Sequence, residues 1–99
     1  MNIQSTLEDK KLTVTIDGAF DYAAALEFKN YMSERYKGVW ELVIDLGAVK
    51  YISSAGMREL LASELVMKKR GGMKLKNVGE DVWKVISMVG FDRFLVIES

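Results

Sequence analysis

The apolar pattern of residues 39–61 changes its period partway along, and this change most constrains the fold. Residues 41–46 are almost all apolar, which is typical of a buried strand. From residue 57 to residue 67, apolar side chains recur three or four positions apart, as on one face of a helix. These side chains are Met57, Leu60, Leu61 and Leu65. A strand followed by a helix is the repeating unit of parallel sheets, so the stretch predicts an α/β fold.

Two serines, Ser53 and Ser54, separate the predicted strand from the predicted helix. The hydroxyl of either can accept a hydrogen bond from a free N–H group of the first helical turn, so the helix should begin here. A helix start beyond the end of a strand is also where open α/β sheets place their chemistry. Position alone leaves two interpretations open, a structural cap and a functional site. Asp45 is likewise either purely structural or bonded to the loop before Ser53.

The composition limits the chain to a few classes of protein. Its 99 residues allow one domain, which we predict to cover residues 1–99. Fourteen basic and fourteen acidic residues give a formal net charge of zero, which argues against binding to nucleic acid. Because cysteine and histidine are absent, disulfides, thiolate nucleophiles, zinc sites built on these residues and imidazole catalysis are excluded. We therefore expect no enzyme, no metal and no cofactor.

Sequence signals for a membrane are also missing. No run of about 18 apolar residues occurs in the chain. The first residues, M-N-I-Q, lack the basic and apolar regions of a signal peptide. These features predict a cytoplasmic protein without direct insertion into a membrane.

The remaining segments predict strands and helices in alternation. Residues 1–6 and 12–16 flank a polar cluster, and the second segment alternates apolar and polar residues, so we predict a hairpin. Asp21 is expected to cap a helix over residues 22–36. Further along, periodicity predicts a strand at 73–78 and a helix at 82–89. Residues 94–97 are predicted as a short last strand.

The predicted order is therefore β-β-α-β-α-β-α-(β). The hairpin strands are antiparallel, whereas parallel neighbours need a crossover connection such as a helix, so the sheet should be mixed. We predict a single α/β domain with a mixed sheet of four to five strands and with helices packed mainly on one face.

Four segments form a recognisable set: G-A-F-D at 18–21, V-I-D-L at 43–46, V-K-Y-I-S-S-A-G-M at 49–57 and V-G-F at 89–91. In this order and spacing they resemble a STAS domain, the module of bacterial anti-sigma factor antagonists. The resemblance covers nearly the whole chain, and I-S-S-A-G-M is its most specific part.

The resemblance implies a partner switch controlled by phosphorylation. In that family, the unphosphorylated antagonist binds a serine-kinase anti-sigma factor, and phosphorylation of one serine releases it; a serine phosphatase is the second expected partner. Aligned on Gly56, the phosphoacceptor falls on Ser54. The expected partner contacts are Asp21, Ser53, Ser54, Gly56, Met57 and Arg58, although Met57 is equally interpreted as a core residue. The chain should be a monomer or a weak dimer.

The sequence departs from the family pattern at three places. Ser53 replaces the usual aspartate before the phosphoacceptor, Ala55 replaces a serine or threonine, and Ala19 replaces a common glutamate. An alternative is therefore a non-phosphorylated STAS subunit of a lipid-transport ABC system or a stress-signalling assembly, in which Ser54 would pack or hydrogen-bond. A nucleotide hydrolase using Ser54 is disfavoured, because the chain has no histidine base and no phosphate-binding Gly-x-x-x-x-Gly-Lys-Ser loop.

Overall fold

The computed structural model describes residues 2–98, and its elements follow the predicted order. The strands are β1 (Asn2–Glu8), β2 (Lys11–Asp17), β3 (Glu41–Ala48), β4 (Met73–Lys76) and β5 (Ile97–Glu98). The helices are α1 (Tyr22–Ser33), α2 (Ser54–Met67) and α3 (Glu80–Met88), and a 3-10 turn spans Phe91–Arg93. Residue 1 of the predicted hairpin and both end residues of the predicted domain lie outside the described residues.

The strands form one mixed sheet of five, in the order β1-β2-β3-β4-β5. β1 and β2 pair antiparallel, and each later neighbour pairs parallel through a connection that contains a helix. The hairpin turns at Asp9 and Lys10, which both have positive φ, as in the tight turns that match the twist of paired strands. The predicted mixed sheet is therefore confirmed.

The hydrophobic core lies between one face of this sheet and the helices. Side chains alternate along each strand, so Val14 and Ile44 are fully buried while their sequence neighbours point to the other face. Each helix adds apolar side chains to the same core, among them Phe28, Leu60 and Ile86. The helices thus pack on one face of the sheet, as predicted.

α1 is shorter than the sequence pattern indicates. It ends at Ser33 instead of residue 36. The following residues form turns in which Arg35 N–H donates to the carbonyl of Met32 and Val39 N–H donates to that of Tyr36. These turns bury Val39 and lead the chain into β3, so the aromatic residue at 36 continues the helical spacing without being helical.

The buried side of α2 also differs from the prediction. Leu65 is 54% exposed and Leu61 only half-buried, whereas Ser63 and Met67 are buried. Spacings of three and four residues fit neighbouring faces of a helix equally well, so the pattern alone does not choose between them. Ser63 is accommodated in the core because its hydroxyl hydrogen-bonds the Tyr36 hydroxyl at 2.7 Å.

The C-terminal elements are shifted along the sequence. β4 ends at Lys76 because Asn77, with φ of 57°, turns the chain out of the strand, and α3 begins at Glu80 instead of residue 82. The last strand occupies Ile97–Glu98 instead of residues 94–97. Beyond Arg93 the chain stays turned, because Leu95 N–H donates a hydrogen bond to the Phe91 carbonyl. The last strand therefore begins later in the sequence than predicted.

Candidate functional site

The N-termini of α1 and α2 lie side by side, at the end of the sheet where β2 and β3 finish. Phe20 and Ile52 form an isolated parallel bridge in the two connecting loops. Phe20 N–H donates to the carbonyl of Tyr51 at 2.9 Å, and Ser53 N–H donates to the carbonyl of Phe20 at 2.9 Å. Two backbone hydrogen bonds therefore join the loops from which both helices begin.

Each helix start is capped by the residue just before it. The Asp21 carboxylate accepts a hydrogen bond from Ala24 N–H at 2.9 Å, so the predicted cap of α1 is confirmed. The Ser53 hydroxyl oxygen accepts from Gly56 N–H at 3.1 Å and its proton is donated to the Phe20 carbonyl, also at 3.1 Å. Of the two candidate serines, Ser53 is the cap of α2, and its hydroxyl is occupied both as donor and as acceptor.

Ser54 is the first residue of α2 and is exposed to solvent. Within residues 2–98, its hydroxyl takes part in none of the side-chain hydrogen bonds. The N–H groups of Ser54 and Ala55 belong to the first helical turn and have no acceptor within the helix. A negative charge placed on Ser54 would therefore lie at a positive helix end, where it is favoured by roughly 0.3 to 1 kcal/mol.

Gly56 allows α2 to begin this close to the loop before α1. A Cβ atom at this position would lie 2.7 Å from the Phe20 carbonyl oxygen and 3.0 Å from Cγ1 of Ile52. Phe20 is fully buried and its backbone is held by the hydrogen bonds described above, so it cannot easily move away. Gly56 is therefore a packing requirement beneath Ser54, and it is itself buried.

Met57 was interpreted either as a partner contact or as a core residue, and the structure places it in the core. Its side chain is only 4% exposed and is part of the hydrophobic cluster. A partner bound at the surface would therefore not reach Met57. Arg58, the next residue, is exposed and lies one helical turn beyond Ser54.

Two exposed tyrosines were missed by the sequence analysis. Tyr22 follows the cap of α1 and is 68% exposed, and Tyr51 precedes the cap of α2 and is 56% exposed. Aromatic residues usually contribute to a core, so the residue type alone does not predict that Tyr22 and Tyr51 are exposed. The available signal is their position, since Tyr22 directly follows the predicted cap Asp21 and Tyr51 lies two residues before Ser53. We call the exposed residues Asp21, Tyr22, Tyr51, Ser54 and Arg58 the Ser54 surface.

Asp45 has a structural role. One carboxylate oxygen accepts a hydrogen bond from Gly47 N–H at 2.9 Å and the other accepts from the Asn77 side-chain amide at 3.1 Å. These bonds connect the end of β3 to the residue after β4. The loop before Ser53 is instead held by Phe20, so the structural interpretation of Asp45 is the one that the contacts support.

The described residues contain neither a metal cluster nor a membrane span. Within 2–98, no three acidic side chains are grouped closely enough to hold a metal ion. None of the helices in this range is both long and apolar enough to cross a bilayer. What this end of the sheet presents is an exposed hydroxyl beside aromatic and charged side chains.

The fold is that of a small single-sheet α/β domain. It has a mixed sheet of five strands, helices on one face, and two capped helix starts exposed at one end. The chain belongs to the STAS domain family, whose model matches residues 2–99. A search of curated protein sequences finds no significant match.

Several solved structures share this fold. A putative anti-sigma factor antagonist from Thermotoga maritima superimposes with a TM-score of 0.89 at 20% identity, covering 98% of this chain and 86% of that one. Unphosphorylated SpoIIAA, an anti-sigma factor antagonist, gives 0.82 at 16% identity, with coverages of 99% and 89%. The phosphorylated form of SpoIIAA from Bacillus gives 0.75 at 15%, with coverages of 99% and 92%. A sulfate transporter family protein from Wolinella succinogenes gives 0.78 at 20%, with coverages of 93% and 80%.

Proposed function

We propose that this protein is an anti-sigma factor antagonist that works by partner switching. When unphosphorylated, it binds a serine-kinase anti-sigma factor through the Ser54 surface. The kinase then transfers the γ-phosphoryl group of ATP to the Ser54 hydroxyl, and the complex dissociates. A serine phosphatase removes the phosphate and restores binding. The protein acts in the cytoplasm and has no catalytic activity of its own; membership of the STAS family and the fold shared with named antagonists support this role.

The division of roles between the two serines is the observation that carries the proposal. Ser53 uses its hydroxyl to cap α2 and to hold the Phe20 carbonyl, whereas Ser54 is exposed at the first position of the helix. Serine and aspartate are both favourable N-cap residues. Ser53 therefore supplies the cap at the position where the family usually has aspartate, and the phosphoacceptor position is left accessible to a kinase.

A phosphate on Ser54 should change binding more than folding. At the N-terminus of α2 the added charge is favourable by at most about 2 kcal/mol, which is small beside a folding free energy of roughly 5 to 15 kcal/mol. Inside a protein interface, the same charge without a matching cation would cost several kcal/mol. Each 1.4 kcal/mol weakens binding about tenfold. SpoIIAA has solved structures in its unphosphorylated and its phosphorylated form, and both are similar to this fold. This supports the proposal that the fold persists on phosphorylation.

Tyr22 and Tyr51 are the expected anchors of the partner interface. Both place a large, partly apolar ring on the surface, Tyr22 at the first position of α1 and Tyr51 in the loop before α2. Tyrosine is enriched among the residues that dominate binding energy at protein interfaces. A desolvated interface centred between these rings would place the added phosphate where it is most costly.

The second candidate is a non-phosphorylated subunit of a transport or stress-signalling assembly. Its fold-level support is the similarity to a sulfate transporter family protein. That role predicts a packed or hydrogen-bonded Ser54, whereas Ser54 is exposed in this chain. Co-purification with a transporter ATPase or a large STAS assembly, in place of a kinase, would favour this second role.

The direct test is phosphorylation by the cognate serine-kinase anti-sigma factor with ATP. Intact-mass spectrometry should show one added phosphate, and peptide mapping should place it on Ser54. Ser54→Ala should abolish the transfer but leave the complex with the kinase intact. Ser33→Ala, which removes an exposed hydroxyl at the far end of α1, is the matched control and should leave the transfer unchanged. Phosphate on another residue, or full transfer to Ser54→Ala, would contradict the proposal.

A further inference from the structure

The two edges of the sheet are protected to very different extents. β5, at one edge, has only two residues, Ile97 and Glu98. β1, at the other edge, has seven residues and pairs with β2 without a register shift from one end to the other. Outward-facing N–H and C=O groups of an edge strand are available to another strand. Within residues 2–98, no strand covers the outer side of β1.

β1 also lacks the features that usually prevent edge pairing. Proteins protect an open edge with proline, lysine, a β-bulge or a very short strand. β1 has the sequence N-I-Q-S-T-L-E, which contains no proline and no lysine, and its only charged residue is Glu8 at the last position. An edge of this length and composition favours the addition of a strand.

The side chains of β1 suit a second copy of the same strand. Ile3 and Leu7 lie opposite Ile16 and Leu12 of β2, so both belong to the face of the sheet that the helices cover. Leu7 is nevertheless 57% exposed. No strand within residues 2–98 lies on the open side of β1, and a second chain could supply the neighbour that covers this side chain.

An antiparallel pair with its two-fold axis at Ser5 provides that neighbour. In this register Ile3 of one copy lies opposite Leu7 of the other, and Gln4 lies opposite Thr6. It is the register in which all seven residues of β1 find partners. A shift by one position would move the apolar side chains to the opposite face, and a shift of the axis would leave Ile3 or Leu7 without an apolar partner. Within the paired β1 strands, Asn2–Glu8, no like charges face each other, and the net charge of zero adds no long-range repulsion.

We infer that β1 is a homodimerisation edge, through which two copies join into one continuous sheet by antiparallel pairing about Ser5. The contact consists of one strand from each copy, so it belongs to the small interfaces, below about 1,200 Å² of buried surface, that give weak association. None of the residues of the Ser54 surface lies in β1. The dimer therefore leaves two copies of that surface free.

The first test is sedimentation velocity over roughly 10 to 500 μM, the range suited to a weak interface of this size. The wild-type protein should change from monomer to dimer across this range. Leu7→Lys should weaken the dimer at least tenfold, because it places a charge opposite Ile3 of the second copy. Val96→Lys is the matched control: Val96 is 54% exposed beside the opposite edge, and the change should leave association unaltered. A wild-type monomer at all concentrations would refute the proposal.

Paired charges test the register. Gln4→Lys combined with Thr6→Lys places like charges opposite each other twice, whereas Gln4→Lys combined with Thr6→Glu places opposite charges there twice. The dimer affinity of the first variant should fall at least tenfold. The second variant should still form the dimer, with an affinity that falls as salt is added. Both positions are exposed in the single chain, and circular dichroism verifies that each variant is folded.

Hydrogen exchange of the wild-type protein gives an independent result that requires no variant. The outward-facing amides of residues 2–8 should exchange more slowly as the protein concentration rises. Equal association of both charge variants, or concentration-dependent protection confined to another element such as α3, would overturn the assignment of this edge.

Discussion

Gly56→Ala tests the close contact on which the presentation of Ser54 depends. The new Cβ would lie 2.7 Å from the Phe20 carbonyl oxygen, a distance that real Cβ atoms do not adopt, and 3.0 Å from Cγ1 of Ile52. Overpacking of this kind typically costs about 1 to 3 kcal/mol. If α2 moves away instead, two hydrogen bonds from Ser53 to Phe20 weaken, each worth about 0.5 to 1.5 kcal/mol.

Alanine is also the better helix former, which opposes this loss. The gain in helix propensity is at most about 1 kcal/mol. The steric term is larger, so after this gain is subtracted Gly56→Ala should still lower the free energy of unfolding, by about 2 kcal/mol at most. Urea unfolding followed by circular dichroism would measure the change. For a chain of this size, that loss corresponds to a clear fall in the midpoint at an unchanged slope.

Gly79→Ala is the matched control for this prediction. Gly79 is likewise a glycine at a helix start, where it is the N-cap of α3, but a Cβ there would meet no atom within 4 Å. Its effect should stay below about 1 kcal/mol, the difference between glycine and alanine at an N-cap. A Gly56→Ala protein as stable as the wild type, or more stable, would refute the argument that glycine is needed to dock α2 against Phe20.

The remaining predictions concern the Ser53 cap of α2, the two exposed tyrosines of the Ser54 surface and the carboxyl group of Glu64. Ser53→Ala should lower the free energy of unfolding by about 0.5 to 2 kcal/mol in urea, because α2 loses its cap. Tyr22→Ala and Tyr51→Ala should each weaken kinase binding more than tenfold in calorimetry while the unfolding midpoint stays unchanged. Burial raises the pKa of Glu64 although Lys68 opposes the shift, so its ionisation destabilises the fold as pH rises through the ordinary range of a glutamate. Glu64→Gln should therefore be more stable than the wild type at pH 7, and the difference should vanish in acid.

Local patterns predicted the strands and the order of elements well. β2 alternates apolar and polar residues, residues 41–46 of β3 are almost all apolar, and the polar cluster between the first two segments marks the hairpin. These features depend on neighbours a few positions apart, which the sequence displays directly. The predicted end of α1 was about three residues too late, because local turns follow Ser33, and the position of β5 was wrong because it depends on a distant strand. β5 exists only where Ile97 lies opposite Leu75 of β4.

The buried face of α2 shows how a tertiary contact overrides a pattern. Apolar spacing favoured Leu65, but the core instead accepts Ser63, whose polar hydroxyl is satisfied by Tyr36 from the turn after α1. A serine at this position gives no local sign of a partner 27 residues away. Periodicity can therefore predict that a helix is amphipathic without predicting which of two adjacent faces is buried.

The difference between local patterns and contacts with distant residues also explains how much of the site the sequence could predict. Two adjacent hydroxyls marked a helix start, but the choice between them depends on where α2 meets Phe20, 33 residues earlier in the chain. That contact requires Gly56, engages Ser53 as the cap and places Met57 in the core. Three of the motif's positions are thereby used to fix the start of the helix, and Ser54 is the one whose side chain remains exposed. A motif that resembles a functional signature is thus mostly a packing arrangement, and the phosphorylation that we propose would act on its one exposed hydroxyl.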